Sequence, residues 1–174
     1  EGKIREIGCT HFSAADLLDS HAAATAEGVA MYPSVQNYYS LLTRDPETNG
    51  VFDVCADLGI GFVPYFPLES GLLTGKYRLG QERPEGARLT NWGDRADSFI
   101  DDDKLAIVER LVQWAESRDH TLLDLAFSWH TSHPLVASVI AGATKPEQIE
   151  ANVAAGSWAL TTEDRAEVDA LIGG

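Results

Sequence analysis

The chain has 174 residues, the size of one domain, and is 44% hydrophobic and 23% charged, which excludes an intrinsically disordered protein. Its formal net charge of −14 argues against a nucleic-acid-binding protein, because phosphate recognition needs a surface rich in Lys and Arg. No apolar run reaches the roughly 18 residues that a membrane helix needs, and no signal peptide is evident. We therefore expect a cytoplasmic protein without a membrane partner.

The first part of the sequence predicts strands that alternate with helices. Ser13 is a good helix N-cap and Gly59 a typical helix end. The predicted strands are residues 4–9, 31–39 and 61–66, and the predicted helices are residues 14–24 and 50–58.

Residues 70–100 interrupt this alternation, with five Gly and one Pro. A loop of this length in a compact domain is usually a mobile lid or a linker. Trp92 in this segment either lines a substrate pocket or packs internally.

The second part of the sequence predicts four helices and one further strand. Leu105, Val108 and Leu111 share a helical face. The predicted helices are residues 104–118, 122–131, 146–155 and 162–172, and the predicted strand is residues 137–140.

This order predicts an α/β fold with parallel strands and right-handed crossovers. Four such units make either an open sheet or half of an eight-unit barrel. No GxGxxG follows the first strand, so the sequence does not support a Rossmann dinucleotide site.

The two cysteines, Cys9 and Cys55, both lie in apolar surroundings. No Cys or His has the spacing of a metal site, so we predict none. Buried free thiols are favoured over a disulfide.

Polar and aromatic residues follow several predicted strands, among them Thr10-His11, Gln36-Asn37 and Tyr65-Phe66. At one rim of a sheet, such groups suit a planar heteroaromatic ligand. Taken singly, each has an alternative: Gln36 as a surface residue, Tyr65 in packing, and His11 as a cap of the following helix.

The segment from Gly142 to Glu147 runs from a strand into a helix N-terminus, where free N–H groups attract anions. Thr144 adds a hydroxyl. The segment is either a phosphate site or an ordinary strand–helix turn.

Four blocks of sequence resemble the aldo-keto reductase family, and together they span nearly the whole chain. GKIREIGCTHFSAADL is similar to the family's fifth strand and helix, and SVQNYYSLL to its sixth strand. LGIGFVPYFPLESGLLTGKY resembles the seventh strand with its cofactor loop, and VIAGATKPEQIEANV the eighth strand and phosphate-binding helix. The long loop is similar to that of the subfamily with aldose-type dehydrogenases and potassium-channel β subunits.

The resemblance implies a (β/α)8 TIM barrel of which this chain holds the last four βα units and a C-terminal helix. Residues 1–174 would be one domain, the C-terminal half of the barrel, and residues 69–100 a loop that clasps the cofactor.

The resemblance further implies an NADP(H) site. The implied positions are Thr10, His11 and Gln36 for the nicotinamide amide, Tyr65 for its ring, Phe66, Pro67, Leu68, Glu69, Ser70 and Lys76 for the pyrophosphate, Arg88 as a further phosphate clamp, and Gly142, Thr144, Gln148 and Asn152 for the 2′-phosphate and adenine.

Several positions depart from the family pattern. His11 stands where Asn is usual and brings a titratable ring. Ala151 replaces a frequent Glu at the adenine, and Gly142 stands where shorter-loop members have Lys. NAD(H) is therefore the alternative cofactor.

In the family, the catalytic Asp, Tyr, Lys and His come from the first four strands, which have no counterpart in this sequence. We therefore predict no catalytic residue in this chain and no activity for the chain alone. The N-terminal half of the barrel, from the same protein or a companion chain, would complete an oxidoreductase that acts on a small carbonyl or alcohol. The alternatives are a subunit that senses the cofactor without turnover, and a barrel built from two copies.

Overall fold

The computed structural model describes residues 2–173 apart from the side chain of Ser98, so the ends of the predicted domain, Glu1 and Gly174, lie outside the described residues. Three strands, β1 (Cys9–Thr10), β2 (Ser34–Tyr38) and β3 (Gly61–Tyr65), form a parallel sheet in the order β1-β2-β3. The predicted α/β fold with parallel strands is confirmed.

Helices follow the strands, and some of them pack on the sheet while others pack against neighbouring helices. They are α1 (Ala14–Glu27), α2 (Val51–Leu58), α3 (Arg88–Asn91), α4 (Asp102–Glu116), α5 (Leu122–Thr131), α6 (Pro146–Ala155) and α7 (Thr162–Gly173). Short 3-10 helices occupy Asp45–Glu47, Glu69–Thr74 and Gly93–Ser98.

Helix α1 shows how local sequence sets an element's bounds. The Ser13 hydroxyl accepts from the Asp16 N–H at 3.2 Å, and the Asp16 carboxylate accepts from the Ser13 N–H at 2.8 Å, which together form a capping box. Gly28 ends the helix in the left-handed region, at φ 62°. Ser13 rather than His11 therefore caps this helix.

The first predicted strand is much shorter than expected: residues 4–8 are not in strand, and Ile4 is 73% exposed. The register pairs Cys9 with Val35 and so places Ile7 opposite Pro33. Pro33 turns its carbonyl toward β3, where it accepts from the Gly61 N–H at 2.9 Å, and so offers β1 no bond at this position.

The fourth predicted strand, residues 137–140, is also wrong as a continuous strand. Residues 136–140 meet β3 only through isolated bridges, Phe62 to Val136 and Tyr65 to Ile140. Between these bridges one chain advances three residues and the other four, so the segment bulges. Pro64 lies inside the interval and cannot donate to the neighbouring chain, which accounts for the interruption.

The segment predicted as a loop, residues 70–100, contains short helices instead. The buried Tyr77 hydroxyl accepts from the Leu89 N–H at 3.0 Å, and the Thr90 hydroxyl donates to the Pro84 carbonyl at 2.7 Å. These bonds fix α3 above the end of β3. The expected motion of this segment stays a prediction.

The core is built around an aromatic cluster below the sheet. The Tyr39 ring lies 5.1 Å from Phe52, 5.7 Å from Phe62 and 4.9 Å from Trp129. Cys9 and Cys55 are buried and unpaired, which confirms the predicted free thiols. Burial raises the pKa of both thiols, that of Cys55 to about 11.

Within residues 2–173, no helix has both the length and the apolar character to cross a bilayer. The same residues bring together no group of three His, Cys, Asp or Glu side chains that could hold a metal ion.

Candidate functional site

A cavity of about 640 Å³ opens at the carboxyl end of β3, between the loop that follows it, α3 and the start of α6. This volume falls within the range of about 300–1,000 Å³ that ligand sites occupy. Most of the residues singled out from the sequence line it together: Tyr65, Phe66, Pro67, Leu68, Ser70, Lys76, Arg88, Gly142, Thr144, Gln148 and Asn152.

Thr10 and His11 lie beside this cavity at the end of β1, and Gln36 lies next to them in the middle of β2. The Thr10 hydroxyl donates to the backbone carbonyl of Gln36 at 2.8 Å, and the backbone N–H of His11 donates to the same oxygen at 3.1 Å. The register of the sheet places Gln36 next to both Thr10 and Val63. Parallel pairing thus places these residues side by side on adjacent strands.

His11 links this rim to Tyr65. Its Nδ1 lies 2.9 Å from the Thr10 hydroxyl oxygen and its Nε2 lies 3.0 Å from the Tyr65 hydroxyl. The Thr10 hydroxyl already donates to Gln36, so its oxygen can only accept from His11. A His11 ring with its proton on Nδ1 fits this arrangement, and Tyr65 then donates to Nε2. The backbone of His11 is left-handed, at φ 60°, a conformation that costs a non-glycine residue about 1 kcal/mol.

Tyr65 is held by aromatic neighbours on adjacent elements. The register of β2 and β3 pairs it with Tyr38, and the two rings stack with centroids 5.5 Å apart and planes 23° apart. Phe66 meets both rings edge-on, at 5.4 Å and 5.6 Å. These contacts fix the Tyr65 ring at the mouth of the cavity.

The loop after β3 contains an unusual run of left-handed residues. Phe66, Glu69 and Ser70 have φ of 54°, 46° and 56°, and Gly71 has φ of 99°. Each non-glycine residue in this region costs on the order of 1 kcal/mol, so surrounding contacts must hold the loop. Within the loop, the Glu69 N–H donates to the Phe66 carbonyl at 3.0 Å and the Gly71 N–H donates to the Leu68 carbonyl at 2.7 Å.

Glu69 faces away from the cavity, although the family resemblance grouped it with the cofactor loop. Its carboxylate accepts from the hydroxyls of Tyr38 and Ser40, and from that of Thr43 at 2.8 Å. The cavity lining includes both sequence neighbours, Leu68 and Ser70, but not Glu69 itself.

Two cations, Lys76 and Arg88, meet in the cavity wall. Partial desolvation of the otherwise exposed Lys76 lowers the pKa of its ammonium, and the positive charge of Arg88 lowers it further. A bound anion between them would relieve this repulsion. The Lys76 ammonium also lies 3.2 Å from the point that a Cβ on Gly71 would occupy.

The start of α6 completes the cavity on the opposite side. Gln148 reaches back, and its side-chain oxygen accepts from the Thr144 N–H at 2.7 Å and from the Thr144 hydroxyl at 3.2 Å. A Cβ on Gly142 would lie 3.8 Å from Nη2 of Arg88. A helix N-terminus and a guanidinium therefore flank the same space, which favours an anion.

Helix α5 supports this helix from below. The buried Ser128 hydroxyl donates to the Ala155 carbonyl at 2.8 Å. Its bond anchors the C-terminal end of α6 and so helps to fix the direction of the helix.

Sequence reasoning missed part of the lining. The additional residues are Gly71, Thr74, Gly86, Ala87, Asn91, Leu123, Ile140 and Ala141. They come from the loop after β3, from α3 and the residues before it, from α5, and from the segment before α6, which only the fold brings together, so no local pattern signals them. Trp92 lines this cavity and also packs on Phe99, with ring centroids 5.1 Å apart, while a place for it in a substrate pocket stays a prediction.

A model of the Aldo/keto reductase family matches residues 1–173. A putative voltage-gated potassium channel subunit beta of Schizosaccharomyces pombe is 32% identical, with 99% of this chain and 51% of the relative aligned. The NADH-specific methylglyoxal reductase of Escherichia coli is 33% identical, with 94% of this chain and 47% of the relative aligned. The L-glyceraldehyde 3-phosphate reductase of Escherichia coli O157:H7 is 32% identical, over 77% of this chain and 40% of the relative. The chain spans about half the length of the curated relatives that it matches and belongs to the aldo/keto reductase family.

Proposed function

We propose that this chain supplies the NADP(H)-binding part of an aldo/keto reductase barrel that interconverts a carbonyl and an alcohol. One observation carries the proposal: an aromatic ring, a left-handed loop, two cations and a helix N-terminus line a single cavity. The aromatic ring suits a nicotinamide, the loop and the two cations suit a pyrophosphate, and the helix N-terminus suits an adenosine phosphate.

At the nicotinamide end, Tyr65 offers a ring for stacking, His11 stands at its edge, and the backbone N–H of His11 donates to the Gln36 carbonyl. NADP(H) supplies hydride transfer, and the role of this chain is to bind and orient the ring. Phe66 and Leu68 add apolar surface to that part of the cavity.

At the phosphate end, the lowered pKa of Lys76 and its proximity to Arg88 support an anion between them. Arg88 beside Gly142 favours NADP(H), since a guanidinium can pair with a 2′-phosphate. NAD(H) is the alternative, and one relative is named as NADH-specific.

We further propose that four additional βα units, from the same protein or from a companion chain, complete the barrel and provide the catalytic residues. The chain alone is then inactive. Large apolar residues on the outermost helices support this: Leu18 on α1 is 50% exposed, and Ile149 and Val153 on α6 are 57% and 73% exposed.

The direct test is a fluorescence titration of the complete protein with NADPH and with NADH. We expect NADPH to bind more tightly, and Arg88→Ala to reduce this preference at least about tenfold through loss of a charged contact. Arg5→Ala is the control, since Arg5 is exposed in the N-terminal segment. If neither cofactor binds the wild-type protein, the proposal fails.

A second function, cofactor sensing without turnover, is favoured by the similarity to the channel subunit beta over 99% of this chain. The same titration and a turnover assay separate the two functions. NADPH binding with no oxidation by any of a panel of small aldehydes would favour the sensor.

A further inference from the structure

We propose that Glu69 is a positioning residue, which holds the loop of residues 66–71 and the Tyr65 ring in the cofactor-binding arrangement without touching the cofactor. This inference rests on the proposed function and adds to it the group that maintains the site.

The carboxylate of Glu69 joins the loop after β3 to the turn after β2. Three hydroxyls donate to it, from Tyr38, Ser40 and Thr43. The Ser40 hydroxyl oxygen in turn accepts from the N–H groups of Leu42, at 3.1 Å, and Thr43, at 3.0 Å. The carboxylate is therefore bound to a turn that is itself internally fixed.

These three hydroxyl donors suit an ionised carboxylate, which can only accept hydrogen bonds. Burial of the Tyr38 hydroxyl and its bond to Glu69 raise the pKa of Tyr38, so this hydroxyl keeps its proton. Glu69 is partly buried, and three charge-assisted hydrogen bonds offset the desolvation of its carboxylate.

The loop needs such an anchor because its backbone is left-handed at three non-glycine positions. Phe66, Glu69 and Ser70 keep positive φ only if contacts elsewhere determine it. Glu69 is itself one of these residues, and Ser70 is 8% exposed. An anchored carboxylate fixes the Glu69 Cα and hence the direction of the N–H groups on either side.

The same carboxylate acts on the aromatic ring through Tyr38. The hydroxyl of Tyr38 is bound to Glu69, while its ring stacks on Tyr65. Loss of the carboxylate would free Tyr38 and so loosen the surface on which we place the nicotinamide. We place the adenosine end of the cofactor at other elements, at Thr144 before α6 and Gln148 within it. Loss of the Glu69 carboxylate should therefore leave adenosine binding unchanged.

The test measures dissociation constants of the complete protein for two ligands: NADPH, and 2′,5′-ADP, which is the adenosine half of NADP. For Glu69→Ala we expect the NADPH constant to rise at least about tenfold, as charged hydrogen bonds are lost. We expect the 2′,5′-ADP constant to stay within about twofold of wild type. Glu69→Gln, which keeps an acceptor oxygen, should recover most of the loss.

The matched control is Glu85→Ala, which removes an exposed carboxylate from the same long segment. We expect it to leave both dissociation constants unchanged.

Tyr38→Phe provides a second, independent variant that keeps the stacked ring and removes one donor. Its effect on NADPH binding should be smaller than that of Glu69→Ala and should disappear in the Glu69→Ala background, because both act through one contact. Additive effects, equal weakening of both ligands, or an unchanged NADPH constant in Glu69→Ala would each overturn the inference. If the wild-type protein binds neither ligand, the proposed function fails and the inference fails with it.

Discussion

At the scale of single residues, His130 makes the fold sensitive to acid. Its side chain is fully buried beneath the sheet, with its ring centroid 5.4 Å from that of Tyr39. Burial lowers the pKa of His130 to about 3, and the backbone of Pro67 opposes the shift only in part. The folded protein therefore keeps this ring neutral at a pH where the unfolded chain protonates it.

The sign of the pH dependence follows from that difference. The unfolded state binds the extra proton below about pH 6.5, so stability falls as the pH drops from there toward 3. From pH 7 to pH 4.5 this group should lower the free energy of unfolding by about 2–3 kcal/mol. We expect His130→Leu to remove that part of the loss, as measured by urea unfolding at both pH values.

Val108→Ala is the control for a buried change without a titrating group. Val108 is fully buried on α4, and its truncation should lower stability equally at both pH values. An unaltered acid loss in His130→Leu would show that other groups set the pH dependence.

Gly71 has a left-handed backbone and lies next to Lys76, one of the two cations of the site. Gly71 and Gly80 both have positive φ, of 99° and 71°, so alanine at either should cost about 1 kcal/mol of stability. Only at Gly71 would the new methyl group meet Lys76, at 3.2 Å from its ammonium, whereas nothing lies within 4 Å at Gly80. We expect Gly71→Ala to raise the NADPH dissociation constant about threefold to tenfold and Gly80→Ala to leave it unchanged. Equal NADPH dissociation constants in Gly71→Ala and Gly80→Ala would contradict a role of Lys76 in cofactor binding.

At the scale of elements, the contact between α5 and α6 supports the phosphate end of the site. Ser128→Ala would leave the buried Ala155 carbonyl without its hydroxyl donor and should cost about 1–2 kcal/mol in urea unfolding. Ser157 makes a comparable bond, to the Ala154 carbonyl at 2.6 Å, but is exposed, so Ser157→Ala should change stability by less than about 0.5 kcal/mol. Similar losses in both variants would count against burial as the cause.

The helices were predictable from sequence because their signals are local. Ser13 and Thr121 both form capping boxes, and glycines end α1 and α2 in left-handed conformations. The outer strands depend instead on partners far along the chain. β1 pairs with β2 only at Cys9 and Thr10, and Pro64 in the neighbouring strand interrupts the ladder that the apolar run at residues 137–140 had predicted.

The site residues divide in the same way: local sequence predicts some of them, and others depend on contacts with distant parts of the chain. Residues in recognisable blocks, such as Tyr65 and Lys76, were predicted and meet in one cavity. The orientation of Glu69 could not be predicted, because it depends on hydroxyls of Tyr38, Ser40 and Thr43 on another element. The roof formed by α3 was unpredictable for the same reason, since it is held by a bond from Leu89 to Tyr77.

At the scale of the whole molecule, the positions of the exposed apolar side chains indicate where further strand–helix units would pack. Ile149 and Val153 are one helical turn apart on α6 and therefore share a face. Leu18 is exposed on α1, and the edge of β1 carries exposed Ile4 and Ile7 before it. In a row of parallel strand–helix units, these are the first and last members, where further units would pack.

These surfaces lead to a prediction about assembly. If four further units cover them, Val153→Lys should weaken the association of this chain with that complementary part at least about tenfold, because a charge would be buried at the junction. Leu79→Lys, at a residue 44% exposed in the long segment away from both end helices, is the matched control and should have no effect. Sedimentation of the two separately expressed parts, followed by recovery of NADPH oxidation on mixing, measures the association. If both lysine variants assemble equally well, or if this chain alone stays a monodisperse monomer that ignores the complementary part, the exposed face of α6 is an ordinary surface and the completed barrel must be abandoned.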